Sequence, residues 1–319
     1  MSAEKYCWWA VRRLLLYVSS VVCSPFVHGD ERHTFGDGSP VPDTARAFAN
    51  MQDEVAVSWD DAWVYIRTDS IPQHRMMVGI KAWNQQVPIR HDLEFKLPIK
   101  PRLRDTPAPT TLIGPVAIAV NGIPIFDPTT QGGRHDAFEH GELDEFGGHA
   151  GRADDYHYHI APFHLMEKVG AGQPIAFGLD GLPVYPKSHG ELDEAHGHFH
   201  EDGSYHYHGT HEKPYHMSGF RGEVDLDARP RTKGVRPYTR PLRGATITDF
   251  MGSLEDGFTL TYELGGQVHR VEYQVQEDGG VNFVFVDPNG VEQAVSYARK
   301  SRGDHRKRPK GERGKRRKK

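Results

Sequence analysis

The sequence predicts a mainly β fold with few short helices, and three observations carry that reading. In 319 residues, 34 glycines and 22 prolines cut the chain into short segments. Several of those segments alternate apolar and polar residues with the period of a strand. One unit of hairpin plus strand also occurs twice, ending each time in Tyr-His-Tyr-His (Tyr156–His159 and Tyr205–His208).

The first segment is an expected export signal over residues 1–29. Arg12 and Arg13 precede the apolar run LLLYVSSVVCSPFV, small residues follow, and cleavage after Gly29 fits best. The expected location is therefore secreted or periplasmic. A lipid anchor on Cys23 suits the sequence less well, because Val21 and Val22 precede it. Cys7 and Cys23 both fall inside this segment, so the processed chain would have no thiolate to offer, and any metal would need nitrogen and oxygen ligands. No later apolar run reaches the roughly 18 residues of a membrane span, so an integral membrane protein is not expected after processing.

Residues 30–245 form the expected main domain. It opens with a polar lead-in and a first strand before residue 60. WVYIRTDSIP (63–72) is an expected strand ending in a turn, with His74 just beyond it. MMVGIKAW (76–83) is an expected further strand. The proline-rich stretch 96–111 is an expected connecting loop.

The repeat follows, spanning about 114–160 and 173–209. GPVAIAVNGIPIF (114–126) and QPIAFGLDGLPVY (173–185) each place Asn-Gly or Asp-Gly between apolar runs. That pattern predicts hairpins with type I′ turns. GELDEFGGH (141–149) and GELDEAHGH (190–198) agree at seven of nine positions, and after six further residues each reaches its tetrapeptide. The hairpins lie 59 residues apart and the tetrapeptides 49, so the first copy carries ten extra residues. Two such units are expected to pack about a pseudo-twofold axis. Residues 246–298 predict a small antiparallel sheet from FTLTYEL, VHRVEYQV and VNFVFVD, joined by glycine-containing turns.

The tail 299–319 has thirteen Lys and Arg against two acidic residues, a net +11, leaving −15 on the rest of the chain. The tail is expected to be disordered and suited to anionic polymers or surfaces, or to solubility alone. An acidic, histidine-rich body argues against nucleic acid as a partner.

Twenty histidines are the compositional signal. Side chains alternate along a strand, so His157 and His159 share one face and Tyr156 and Tyr158 the other; His206 and His208 oppose Tyr205 and Tyr207 in the same way. Two imidazoles on one rigid strand form a metal-chelating pair. His149 and His198 each stand seven residues before the first tyrosine of their tetrapeptide, behind a glycine, which places a third imidazole beside each pair. The plainer alternative is a satisfied histidine network or a pH-sensitive surface. The tyrosines are expected to pack in the core. Asp144, Glu145, Asp193 and Glu194, repeated in the two GELDE segments, are candidates for a general base, an oxygen ligand or an acceptor orienting a histidine, with a turn-forming role as likely on sequence grounds.

The strings SIPQH, WNQQVP, AVNGIPIFDP, GELDEFGGHAGRADDYHYHIAP and LDGLPVYPKSHGELDEAHGHFHEDGSYHYHGTHEKPYHMSGFRG resemble the YHYH-domain family of secreted bacterial proteins, over roughly residues 60–225. Ser70-Ile71-Pro72 departs from the GIP frequent there. The resemblance implies a secreted, β-rich domain and adds His74 to the pattern; it implies no activity.

The expected function is a secreted histidine-rich protein binding copper or zinc through His74, His149, His157, His159, His198, His206 and His208. Whether these make one site between the copies or one in each stays open on sequence grounds. A metal-dependent hydrolase or oxidase is the enzymatic alternative. A surface domain with a histidine–carboxylate network is the alternative without a metal. No phosphate-cradling glycine loop, GxSxG elbow or HExxH helix occurs, and no nucleotide cofactor is expected.

Overall fold

The structure is a computed structural model and describes residues 32–130, 133–186 and 190–299. The expected signal over 1–29 and nearly all of the basic tail lie outside the described residues, as do both cysteines.

The first sheet holds β1 (His33–Thr34), β2 (Ala56–Trp59), β3 (Trp63–Thr68) and β4 (Leu93–Pro98) as an antiparallel meander. β4 alternates buried and exposed residues, and Leu93, Phe95 and Leu97 enter the core. β5 (Leu103–Pro109) follows and pairs with β14 (Gly219–Gly222) in a two-stranded ribbon. This corrects the loop expected over 96–111. Pro107 and Pro109 are tolerated because β5 has a partner on one side only, so half of its N–H groups have no ladder to fill.

The expected strand over 76–83 is also corrected. Met77 has φ 68° and Gly79 φ 92°, which breaks the extended run. Its N–H groups bond outward instead: Met77 to the Asp144 carboxylate, Gly79 to the Ile247 carbonyl, Lys81 and Ala82 to the Gly141 carbonyl. Two helices of one turn occur among the described residues, α1 (Asp43–Arg46) and α2 (Met166–Val169). A 3-10 turn over Phe163–Leu165 leads into α2.

The repeat builds one eight-stranded sheet. The first copy contributes β6 (Pro115–Ala119), β7 (Pro124–Phe126), β8 (Gly148–Ala150) and β9 (Tyr156–Tyr158). The second contributes β10 (Ala176–Gly178), β11 (Pro183–Tyr185), β12 (Gly197–Phe199) and β13 (Tyr205–His208). The order is β12-β13-β11-β10-β6-β7-β9-β8, a palindrome in which each strand has its counterpart at the mirrored place. The copies join where β6 and β10 run antiparallel, with Ile118 opposite Phe177. In each copy the tetrapeptide strand lies parallel to the second hairpin strand, Ile125 against Tyr158 and Val184 against Tyr207.

The hairpin turns differ from type I′. Only Gly122 and Gly181 take positive φ, at 81° and 83°, while Asn121 and Asp180 do not. Gly122 N–H bonds to the Ala119 carbonyl and Ala119 N–H to that of Ile123, and Gly178, Gly181 and Leu182 repeat the scheme. One left-handed glycine after a tight turn makes the bulged hairpin connection instead.

The C-terminal sheet is an antiparallel meander of β15 (Ala245–Ser253), β16 (Gly257–Leu264), β17 (Gln267–Val275), β18 (Val281–Val286) and β19 (Glu292–Tyr297). Its inner face (Phe250, Phe258, Leu260, Val271, Tyr273 and Phe283) is buried in the common core. Tyr273 donates its hydroxyl hydrogen bond to the Pro88 carbonyl, which ties this sheet to the segment entering β4.

Candidate metal centre

Alternation on β9 and β13 sorts the tetrapeptide into two chemistries. Tyr156, Tyr158 and Tyr207 are completely buried and Tyr205 nearly so, all facing the core. The histidines face the other way. β8 runs antiparallel to β9 with His149 directly opposite His157, and β12 to β13 with His198 directly opposite His206. Opposite residues in an antiparallel pair share a face, so the third imidazole of each set stands beside the first two.

Two groups of three imidazoles result, each with one ring nitrogen per residue within 4.8 Å of the others. In the first, His157 Nε2 lies 3.1 Å from His159 Nε2, and His159 Nε2 lies 3.2 Å from His149 Nε2. In the second, His198 Nε2 lies 2.9 Å from His206 Nε2 and 3.3 Å from His208 Nε2. Nitrogens about 2.0–2.1 Å from a tetrahedral ion would lie ~3.3 Å from one another. The observed separations are close to that edge.

The other ring nitrogens fix the tautomers of His157 and His159 in the first group. His157 Nδ1–H donates to the Asp155 carbonyl at 2.9 Å and His159 Nδ1–H to the Asp127 carbonyl. A carbonyl oxygen only accepts, so each Nδ1 carries the proton and each Nε2 presents a lone pair. Two lone pairs then face each other in a buried site. Burial drives the pKa of His149 and His157 well below that of a free imidazole, with repulsion from the neighbouring rings adding to it. His159 is lowered as well, chiefly by burial. Neutral imidazole is the form that binds metal.

The surroundings hold the ligands in place. Phe126, at the end of β7, stacks on His157 with ring centres 3.8 Å apart, and the next residue supplies the carbonyl for His159. Asp155 is braced by the Thr232 hydroxyl at 2.7 Å. In the second copy Tyr185 takes the place of Phe126 and meets His206 edge-on at 5.3 Å. The two centres differ in exposure: all three residues of the first are buried, whereas His198 and His206 are half-buried and His208 is buried.

The structure places the remaining candidates elsewhere. His74 lies apart from both groups, on the tyrosine side of β9, with Nε2 2.6 Å from the Tyr158 hydroxyl. Asp144 accepts from the Tyr156 hydroxyl at 2.8 Å and from the N–H groups of Met77, Phe146 and Gly148. Asp193 accepts from the Tyr205 hydroxyl and the N–H groups of Ala195 and Gly197. These aspartates shape the turns before β8 and β12 and anchor tyrosines, because the turn carries them to the face away from the imidazoles. Burial raises Asp144 to about 6, against the pull of its four hydrogen bonds. Glu145 and Glu194 are exposed.

Two residues of this neighbourhood have no role assigned from the sequence, although His216 stands among the histidines that crowd the second copy. His164 points Nε2 at the Tyr158 hydroxyl from 3.3 Å. His216, 1% exposed, contacts the Phe126 carbonyl at 3.1 Å and thereby buttresses the strand end beside the first centre. Each is a single histidine outside any strand, His164 in the 3-10 turn before α2.

Neither a curated protein nor a solved structure matches the chain. The family model described as YHYH protein matches residues 94–190, narrower than the stretch of resemblance and ending before the second tetrapeptide. Residues 94–190, which include most of β4, the first tetrapeptide and both strands of the second hairpin, are a YHYH domain.

Proposed function

We propose that the protein is a secreted metal-binding protein with one three-histidine centre in each copy of the repeat, suited to zinc or copper. The observation that carries this is the pair of buried Nε2 lone pairs of His157 and His159, held 3.1 Å apart by main-chain acceptors on their Nδ1 atoms. Lone pairs so placed repel unless a cation lies between them. Imidazole nitrogen suits zinc and copper among the common ions, and three ligands leave a fourth coordination position.

The first centre, built from three buried imidazoles, has the character of a permanently held ion. The histidine–carboxylate network fits the first group less well, because among the described residues the ring nitrogens of His157 and His159 meet other imidazoles or main-chain carbonyls. Hydrolysis through a neighbouring carboxylate fits less well for the same reason: Glu145 and Glu194 are exposed, and Asp144 and Asp193 are engaged with tyrosines.

Elemental analysis of the untagged protein after dialysis against a weak chelator tests the reading. Two equivalents of zinc or copper are expected, with both lost from a His157→Ala, His206→Ala variant. A metal-free native protein that folds like the variant would overturn it.

A further inference from the structure

The first copy holds a second convergence of donor atoms, on the face of β9 opposite its imidazole triad. His74 Nε2 lies 2.6 Å from the Tyr158 hydroxyl, and His164 Nε2 approaches the same oxygen at 3.3 Å. His74 Nδ1–H donates to the Arg75 carbonyl at 2.8 Å, so its Nε2 presents a lone pair to that oxygen. The two rings stand 4.8 Å apart at 79°. Ring pairs inside the two triads stand 4.6–5.0 Å apart at 65–88°, the same mutual arrangement.

A buried tyrosine does not need such surroundings. Tyr207, the counterpart of Tyr158, donates to the Asp180 carboxylate and accepts from Arg221 N–H. No imidazole is among those partners, and Lys213 follows Tyr207 at the spacing at which His164 follows Tyr158. The fold therefore satisfies this hydroxyl with one carboxylate and one main-chain N–H where nothing more is required. In the first copy Asn121 Nδ2 donates to the hydroxyl oxygen at 3.0 Å, leaving a neutral donor in place of the aspartate. Phe146 stacks on His74 at 4.1 Å and meets His164 edge-on at 4.9 Å, covering one side of each ring.

We propose that His74 Nε2, His164 Nε2 and the Tyr158 oxygen form a third metal site, separate from the triads, for an oxidised and strongly Lewis-acidic ion of the Cu(II) type. Two imidazoles with an anionic oxygen match such an ion. The ion takes the place of the hydroxyl proton, which is released to solvent, and Asn121 donates to the resulting anionic oxygen. His74 and His164 are both half-buried, on the loop after β3 and on the 3-10 turn before α2, so each can shift by the few tenths of an ångström that opening the 2.6 Å contact requires.

Titration of the full chain with Cu(II), followed by visible absorption, tests this site independently of the triads. The expected result is a phenolate-to-copper charge-transfer band that saturates with one equivalent and persists in the His157→Ala, His206→Ala variant. It should vanish in Tyr158→Phe, which removes one oxygen, and weaken in His164→Gln. Absence of the band from the native protein, or its survival in Tyr158→Phe, overturns the proposal. The equivalents of metal retained by the native protein report on the triads alone, so either reading can fail while the other stands.

Discussion

Gly151 lies directly against the ring of His157. A methyl group on Gly151 would come 2.5 Å from His157 Cε1 and 2.9 Å from Asp155 Oδ1. Asp155 also supplies the carbonyl that fixes the His157 tautomer. Gly151→Ala should therefore displace the ring and its acceptor together. Metal affinity at the first centre is expected to fall about 10–100-fold, the range for loss of an orienting partner. Chelator competition should show the second centre unchanged; equal affinities before and after would refute the packing argument.

Arg236 and Asp154 form a nearly dry ion pair at 2.9 Å, with side-chain exposures of 6% and 0%. Asp154 also accepts from Gln86 Nε2 and Val87 N–H. Arg236→Ala strands a buried carboxylate, at a cost of about 3–5 kcal/mol. Asp154→Asn in the same chain should recover part of the loss in a urea melt. If the single variant unfolds at the native midpoint, the pair is not stabilising.

The two GELDE aspartates occupy matched places at different depths. Asp144 is 5% exposed and its counterpart Asp193 lies at the surface. Removing Asp144 leaves three N–H groups and a buried hydroxyl without their acceptor, so Asp144→Ala should cost about 3–5 kcal/mol against ~1 for Asp193→Ala. Metal content in Asp193→Ala should match the native protein. A catalytic or ligating role for Asp193 would instead appear as lost metal with little change in stability.

Burial lowers His74 and His216 to about 4 and His164 to about 3. The unfolded chain therefore takes up protons below pH 6.5 that the folded chain refuses. Each residue costs up to ~1.4 kcal/mol per pH unit as pH falls from 6.5 toward its folded value. Asp144 and Asp180, raised to about 6 by burial, act in the opposite sense, since the folded chain protonates them first between pH 3.8 and 6. The histidines begin to act at higher pH. The thermal midpoint should accordingly drop as pH goes from 7 to 5, and His164→Gln should flatten that slope. A midpoint that rises over this interval would contradict the assignment of these histidines as neutral in the folded chain.

The duplication, the hairpins and the two sets of three histidines were legible in the sequence because identical strings at constant spacing impose identical geometry. The facing of His149 with His157 followed from a glycine-led turn returning beside a strand. What stayed hidden depends on contacts distant in sequence. Met76–Trp83 has the composition of a strand, yet Asp144, Gly141 and Ile247 take up its N–H groups, so tertiary partners override local preference. β5 escaped notice because its prolines are harmless only beside β14, more than a hundred residues later. The carbonyls that set the ring tautomers belong to residues whose side chains give no hint of that use.

The palindromic strand order has a consequence for how the molecule can change. The copies touch through β6 and β10, while the histidine-bearing strands occupy the two outer ends of the sheet. Ten extra residues enter the first copy between hairpin and tetrapeptide without disturbing that junction. Selection can therefore remodel one end of the molecule while the seam and the far end keep their sequence, and the screened first centre beside a more exposed second one is the kind of divergence such a layout permits.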